Sequence, residues 1–260
     1  MGRLTTAVFV VFAFPGLLPA QLMTRLSPEN DRAFDDYIKG VEAKLDGRAH
    51  VMLGTPGALD QPAVTMVPGA TPPTVDLKGA IIHDWRGAVL APGATLPGAT
   101  LPSSTLDKLL AVLQSYNDYP RLYAPRITAS KVYSHEGNLW RVYLQLYKKK
   151  LFTANLATEY EIEYRPLGPG RWAILSRSTK VAELDGGREL PVGQGHGFLW
   201  RLNAYWLLEQ RPEGVYIECH AISMSRDVPA GLGWAMKPMV TSVPRESLRD
   251  TLEATVRALP

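Results

Sequence analysis

The chain has 260 residues, of which 46% are hydrophobic, and its formal net charge is +3. This charge is too small and too dispersed to favour a nucleic-acid partner, whereas the length is sufficient for one domain with a substantial core. Cys219 is the single cysteine, which excludes a disulfide within the chain.

Residues 1–20 have the order of features typical of a secretory signal peptide. Arg3 precedes an apolar run from Leu4 to Leu18, and Pro19-Ala20-Gln21 follows it. We expect cleavage after Ala20 and a soluble exported protein, either periplasmic or secreted. An uncleaved anchor is the alternative, because the run approaches the length that spans a bilayer.

Residues 21–74 predict an N-terminal helix followed by a linker. Ser27 and Pro28 suit the start of a helix, and apolar residues recur at helical spacing from Phe34 to Leu45 before Gly47. Residues 54–74 are dense in Pro, Gly and Thr, which is typical of a loop or linker. We expect the helix to pack on a main domain formed by residues 75–260.

The main domain is patterned mostly as antiparallel strands. Strands are predicted over 75–90, 126–134, 139–148, 157–165, 171–183, 198–208 and 215–226. One helix is predicted over 104–116, and a second begins at Pro244 and carries Leu248, Leu252, Val256 and Leu259 as an apolar stripe. The repeated PGATL at 92–101 indicates a lengthened loop.

This order of elements predicts an α+β fold. There are too few crossover helices for a parallel sheet, and an antiparallel sheet that buries one face must curl around something. The last helix is the only long amphipathic candidate. The sequence therefore predicts a curved antiparallel sheet wrapped around a long C-terminal helix.

Residues 113–132, LQSYNDYPRLYAPRITASKV, resemble the helix-to-strand passage of START-like and polyketide-cyclase-like proteins of the SRPBCC superfamily. The order of elements from 75 to 258 is also similar to the helix-grip fold of these proteins. Members hold lipids, sterols, quinones or polyketides between the sheet and the last helix, and only some are enzymes. The resemblance therefore implies a helix-grip domain with a pocket for a hydrophobic small molecule.

The candidate ligand-binding residues are mainly aromatic residues assigned to the inner face of the sheet. They are His83, Trp85, Trp140, Tyr160, Tyr164, Trp172, Ser176, Trp200, Trp206 and Trp234. His83 is in register with Ile81 and Trp85, and Ser176 shares the register of Trp172, so both can offer polar contacts to a ligand. Trp234 lies in a Gly-rich connection that the resemblance places near the opening of the pocket.

Three functions stay open from the sequence. The first is binding or transport of a lipid, quinone or polyketide-like molecule. The second is a cyclase or aromatase type of enzyme in which His83 acts as acid or base, and the third is an interaction domain whose core is filled. No metal spacing, GxSxG motif or phosphate loop occurs, so we predict no catalytic residue, metal or cofactor.

Charged residues on the strands are assigned to a wet convex face. Arg201, Glu218, Arg177 and the Glu159–Glu163 ladder lie opposite the aromatic residues and should form exposed pairs. Lys148–Lys150 with Leu151 and Phe152 indicates either a strand edge protected by charge or a weak contact with a membrane surface.

Overall fold

The computed structural model describes residues 23–47, 64–92, 103–149, 153–228 and 233–259. The helices are α1 (Pro28–Gly47), α2 (Ser103–Gln114), α3 (Tyr119–Leu122) and α4 (Gly233–Arg257). The strands are β1 (Thr24–Arg25), β2 (Thr65–Pro68), β3 (Thr74–Leu77), β4 (Ala80–Pro92), β5 (Ile127–Glu136), β6 (Leu139–Lys149), β7 (Thr153–Gly168), β8 (Arg171–Asp185), β9 (Arg188–Glu189), β10 (Gln194–Gly195), β11 (Arg201–Arg211) and β12 (Gly214–Arg226).

One antiparallel sheet dominates the described part of the chain. Its strand order is β2-β4-β12-β11-β8-β7-β6-β5, with β3 added beside β4 and β9 beside β8. The predicted hairpin of β11 and β12 is confirmed, and it pairs Arg201 with Met224 at one end and Arg211 with Gly214 at the turn. Residues with odd numbers in β4 and β12 share one face, here called the inner face.

Helix α4 lies against the inner face, and the helix-grip fold predicted from the sequence is confirmed. Leu248 and Leu252 of α4 are buried in a cluster with Ile217 of β12 and Ile162 of β7. The helix begins at Gly233, so the prediction that it starts at Pro244 is wrong. Proline is common in the first turn of a helix, but a helix supported by packing also tolerates it further along.

Helix α1 covers the opposite, outer face, which confirms that it packs on the main domain. Ser27 caps it by accepting a hydrogen bond from the Asn30 amide at 3.1 Å. Phe34 and Ile38 of α1 are buried against Ile222 and Met224 of β12. The outer face of the central strands is therefore a second packed layer and is not exposed to water.

Two assignments in the first part of the main domain are wrong. The strand predicted over 75–90 is two strands, β3 and β4, which turn back on each other at Gly79, where φ is +80°. Only glycine adopts this φ without strain, so the turn depends on it. Residues 65–68, assigned to a linker, form strand β2 and pair with Ala88 through Trp85 of β4.

Candidate functional site

A row of small side chains crosses the middle of the inner face. The register places Ala221 beside Trp85, Ala204 beside Ala221, and Ser176 beside Ala204. Ile162 and then Trp140 continue the same line. We call these six residues the central row. Its three small members lie between bulky residues, so the sheet is hollowed at this point.

The exposure of this row is unusual for the centre of a sheet. Ala204, Ala221 and Ser176 all keep accessible surface. Outer-face neighbours on β11 and β12 do not, since Asn203 is 2% and Ile222 is 0% exposed. A close-packed interior would bury the inner residues as completely as the outer ones. The central row therefore borders space that side chains do not fill.

A second row, parallel to the first, is more polar. It runs from His83 through Ser223 and Leu202 to Ser178 and Tyr160. The Ser178 hydroxyl accepts a hydrogen bond from the Leu202 amide at 2.9 Å, so it is already engaged by the backbone. Both ends of this row are buried, with His83 1% and Tyr160 5% exposed.

His83 lies on the inner face, as the alternation predicts. Its Nε2 atom is 3.1 Å from the Ser225 hydroxyl, whereas its Nδ1 atom is buried and has no hydrogen-bond partner among the described residues. Burial lowers the pKa of His83 to about 4, because the charged ring loses water, while the nearby Asp76 opposes the shift. The ring is therefore neutral near pH 7.

Trp85 of the central row is two positions from His83 of the second row on β4, and it also has an unpartnered atom. Its Nε1 atom is buried without a hydrogen-bond partner among the described residues. The rest of the side chain is partly exposed, and the guanidinium of Arg245 in α4 lies 5.5 Å from the ring centroid. Trp85 is therefore placed where α4 meets the hollow of the sheet.

Trp206 and Trp172 occupy the next two rows of the inner face. Both are partly buried against the inner cluster, and Trp206 pairs with Cys219 while Trp172 pairs with Leu208. Trp206 directly adjoins the central row. Trp172 is one row further from it and lies close to the end of strand β8.

Tyr164 is placed on the inner face as predicted, but its hydroxyl group is fully used within the core. It donates to the Leu113 carbonyl of α2 at 2.8 Å and lies 2.7 Å from the Tyr116 hydroxyl. The side chain is 2% exposed. Tyr164 therefore holds α2 against the sheet and has no surface with which to contact a ligand in this state.

Trp140 lies at the far end of the central row and is covered from both sides. Its ring is stacked on His135 at a centroid distance of 3.7 Å, and the Tyr116 ring is 5.4 Å away. Together with Tyr164, these aromatic residues form a wall at the β5–β6 side of the sheet. The wall closes the row at this end.

Trp200 was expected on the inner face with Trp206, and this expectation is wrong. Trp200 is 4% exposed and packs in the outer cluster with Phe34 of α1 and Met224. Strand β11 begins at Arg201, one residue later, so the two-residue alternation does not extend back to Trp200. Trp200 therefore belongs to the contact with α1.

Two predicted contacts lie wholly or partly outside the described residues. The side chain of Trp234 is one of them. In the basic segment, Lys150, Leu151 and Phe152 are not described, whereas Lys148 lies 3.5 Å from Asp250 of α4. Lys148 is therefore paired within the fold, and the membrane contact stays a prediction. The proposed signal peptide, residues 1–20, is likewise outside the described part.

Sequence reasoning did not single out Ala204 and Ala221, whose small size contributes to the hollow. A signal was present, because the turn at 212–213 fixes which residues of the two strands face each other. Counting back from that turn places Ala204 opposite Ala221. Two small residues opposite each other on an apolar face indicate room for something else.

The outer face, which the sequence predicts to be exposed to water, carries a buried polar network. Asp84 is 2% exposed and accepts a hydrogen bond from the Tyr37 hydroxyl at 2.6 Å. Its other carboxylate oxygen is 2.5 Å from His220 Nε2. A Cβ atom at Gly69 would lie 1.7 Å from this carboxylate, so glycine is required there. This network fastens α1 to the sheet.

Glu218 is wrongly assigned to an exposed pair, whereas Arg201 is paired with two half-exposed carboxylates of α1. Glu218 is 3% exposed, lies 3.2 Å from the Arg86 guanidinium and accepts a hydrogen bond from Tyr216. Arg201 contacts Asp31 at 2.5 Å and Asp35 at 2.7 Å, both on α1. Glu218 lies in a packed layer, so removing its charge leaves the Arg86 guanidinium poorly solvated.

The structure also bears on metals and membranes. Within residues 23–259, excluding the undescribed segments, no group of three or more His, Cys, Asp or Glu side chains is arranged to hold a metal ion. None of the helices in the same described part has the length and apolar character needed to cross a bilayer.

Solved structures similar to the chain come from the families that its sequence resembles. A STAR-related lipid transfer protein from Xanthomonas axonopodis is 18% identical, with 74% of this chain and 99% of that chain covered and a TM-score of 0.40. Human STARD10 is 10% identical, with 90% and 81% covered and a TM-score of 0.44. The Zhui aromatase/cyclase from Streptomyces sp. R1128 is 13% identical, with 69% and 93% covered and a TM-score of 0.38.

No family model matches the chain, and no curated protein matches it. Identities and TM-scores this low carry no inference about ligand or reaction. The fold assignment rests on the order of the strands and on the position of α4, and the function must be argued from the inner face itself.

Proposed function

We propose that this chain binds a hydrophobic small molecule between the inner face of the sheet and α4. The observation that carries the proposal is the partial exposure of Ala204, Ala221 and Ser176 at the centre of the sheet, where outer-face neighbours such as Asn203 and Ile222 are buried. Apolar hollows with a few polar groups at one side are the usual form of small-molecule sites.

The size of the apolar surface sets the kind of ligand. Burying about 400 Å² of ligand surface at about 25 cal/mol per Å² contributes roughly 10 kcal/mol before the entropy of association is subtracted. That entropy amounts to about 4 to 15 kcal/mol. Only a sizeable apolar molecule, such as a lipid, quinone or polyketide-like compound, would therefore bind usefully.

The cyclase or aromatase alternative requires a titratable group that works on the ligand. His83 is the candidate on the inner face, but burial lowers its pKa to about 4 and it is 1% exposed. A histidine with such a pKa is a weak base near pH 7. This geometry favours hydrogen bonding by His83 over proton transfer, so binding or transport is the function proposed here.

A larger side chain at the central row distinguishes a ligand-binding hollow from a core that is already filled by side chains. In Ala204→Leu, the larger side chain should occupy ligand space, so affinity for a fluorescent fatty acid should fall at least tenfold while the free energy of unfolding stays the same or rises. Ala91→Leu is the matched control, because Ala91 is on the inner face of β4 but 0% exposed. Overpacking there should lower stability by about 1 to 3 kcal/mol.

The same pair of variants shows when the proposal fails. If Ala204→Leu loses as much stability as Ala91→Leu, and the parent binds no fatty acid or hydrophobic dye, the central row is packed core. The interaction-domain reading would then replace the proposed one.

A further inference from the structure

On the inner face of β4, two buried polar atoms have no hydrogen-bond partner in the described part of the chain. They are Nδ1 of His83 and Nε1 of Trp85. The two residues are two positions apart on β4, so their side chains leave the same face about 6.6 Å apart along the strand. A buried group without a partner destabilises the folded chain, so its presence calls for a reason.

The tautomer of His83 follows if the single proton of the Ser225 hydroxyl is used in its bond to the Arg226 carbonyl. The Ser225 hydroxyl donates to the Arg226 carbonyl at 3.3 Å, so its oxygen is free to accept from His83 Nε2–H at 3.1 Å. The ring is neutral, because burial lowers its pKa to about 4. His83 Nδ1 therefore carries a lone pair and needs a donor.

Trp85 needs the opposite kind of hydrogen-bond partner from His83. The indole Nε1–H is a donor only, and it needs an acceptor. The inner face thus presents one acceptor and one donor on side chains two positions apart on β4, at the border of the central row. A ligand group that fits both must donate and accept at once.

We propose that the bound molecule carries a hydroxyl group, which donates to His83 Nδ1 and accepts from Trp85 Nε1–H. This inference rests on the proposed function and specifies its ligand class as a hydrophobic alcohol or phenol. An ether or ester oxygen satisfies Trp85 alone. An ionised carboxylate also satisfies Trp85 alone, and it sets its own lone pairs against those of Nδ1. A hydrocarbon satisfies neither atom.

Access to the two atoms lies on the side of the central row. Neither atom contacts water in this state, but the Trp85 side chain is partly exposed and is the cross-strand neighbour of Ala221. Binding as proposed requires the indole to rotate toward that space, beneath Arg245, so that Nε1 and Nδ1 both reach the ligand. The apolar part of the ligand then lies along Ala221, Ala204 and Ser176.

Matched probes with one changed group test the inference. Displacement of bound Nile red is measured with 1-dodecanol, dodecyl methyl ether and dodecanoate. The alcohol should bind the parent protein about tenfold more tightly than the ether, because it makes one hydrogen bond more to a buried partner. In His83→Leu and in Trp85→Phe this preference should fall to about twofold or less.

Trp200→Phe is the control variant. Trp200 also has a buried Nε1 atom without a partner among the described residues, but it lies on the outer face beneath α1. Its replacement should leave the preference for the alcohol unchanged. A second measurement uses the parent protein and so does not depend on a variant folding. The ¹⁵N resonance of His83 Nδ1 should shift when 1-dodecanol is added and should not shift when the ether is added.

The possible results separate this inference from the function on which it rests. Equal binding of alcohol and ether, or tightest binding of dodecanoate, overturns the hydroxyl proposal while the pocket stands. An unchanged Nδ1 resonance with bound alcohol overturns it as well. If Nile red itself does not bind and none of the three probes raises the free energy of unfolding, the proposed function fails. The hydroxyl proposal then fails with it.

Discussion

His83 shows how a single buried side chain makes stability depend on pH. Its pKa is lowered from 6.5 to about 4 in the folded chain, because burial disfavours the charged ring. The unfolded chain therefore binds the proton first as the pH falls. The stabilising contribution is complete above pH 6.5 and is lost progressively between pH 6.5 and about 4.

We expect the parent protein to lose about 3 kcal/mol of unfolding free energy through His83 across that interval. Urea unfolding at pH 7.5 and at pH 4 measures the loss. In His83→Gln the acid-induced decrease should be smaller by about this amount, since other titrating groups are common to both proteins. Identical decreases in the two proteins would show that His83 is not buried in neutral form.

The two tryptophans on either side of the sheet should respond oppositely to truncation. Trp200 is 4% exposed in the contact with α1, so Trp200→Ala should lower stability by about 3 to 5 kcal/mol and leave dye binding intact. Trp206→Ala should lower stability less and weaken dye binding, because Trp206 is partly exposed beside the central row. Denaturant unfolding and dye titration measure both effects, and a reversed result would place the ligand on the outer face.

At the scale of single residues, alternation along strands was informative only within strands. It placed His83, Ser176 and Trp206 on the inner face correctly, since all three are inside regular β-structure. It failed for Trp200, which precedes β11. It also gave no measure of packing density, because the exposure of Ala204 depends on which side chains reach it from α4 and the neighbouring strands.

Among the elements, α1 changes the chemistry of the strands beneath it. Glu42 of α1 accepts hydrogen bonds from Arg177 and from Tyr205, both at 2.7 Å, and the pKa of Glu42 is lowered, although burial alone would raise it. Charged residues that the sequence assigned to a wet surface are thus half-buried partners of a helix. Their loss should affect stability and leave the inner face unchanged.

Glu218→Gln tests this reading. The Glu218 carboxylate is buried and paired with Arg86, so removing its charge leaves a poorly solvated guanidinium and should lower stability by about 3 kcal/mol. Dye affinity should stay within twofold of the parent value. Glu161→Gln is the matched control, because its pair with Arg141 is largely exposed and should contribute less than about 1 kcal/mol. Equal small effects in both variants would restore the wet-surface assignment.

The boundaries of elements were the least predictable part of the fold. The split between β3 and β4 depends on the left-handed backbone of Gly79, and a lone glycine in an apolar stretch is also compatible with a continuous strand. The early start of α4 places Pro238 and Pro244 within the helix, against the poor helix propensity of proline. The local pattern therefore predicted neither boundary.

For the molecule as a whole, the order of elements was enough to predict the architecture. The meander of strands and the striped last helix have few arrangements that bury all apolar faces. What the order could not predict is that α1 seals the outer face, because its partners in β4, β11 and β12 are far away in sequence. Export with cleavage after Ala20 stays a prediction, which the intact mass of the secreted protein would test.

The rate at which a thiol reagent modifies Cys219 should report the stability of the whole fold. It is 1% exposed at the centre of the sheet, and burial raises the pKa of its thiol well above the usual range. A thiol reagent should therefore react only when the chain opens, at a rate set by global unfolding. Adding a bound hydrophobic probe should slow the reaction further. Rapid stoichiometric labelling of folded protein would contradict this burial, and labelling in denaturant serves as the control.

The covering of β12 by helices on both sides also governs which substitutions the protein tolerates. Neighbouring residues along β12 face α4 or α1 in turn, so nearly every position is enclosed. Along β6, by contrast, the residues that alternate with Val142 and Leu144 remain at least partly exposed. Substitutions among related sequences should therefore follow a two-residue period along β6 and almost none along β12, and β12 should be the more slowly changing strand of the two.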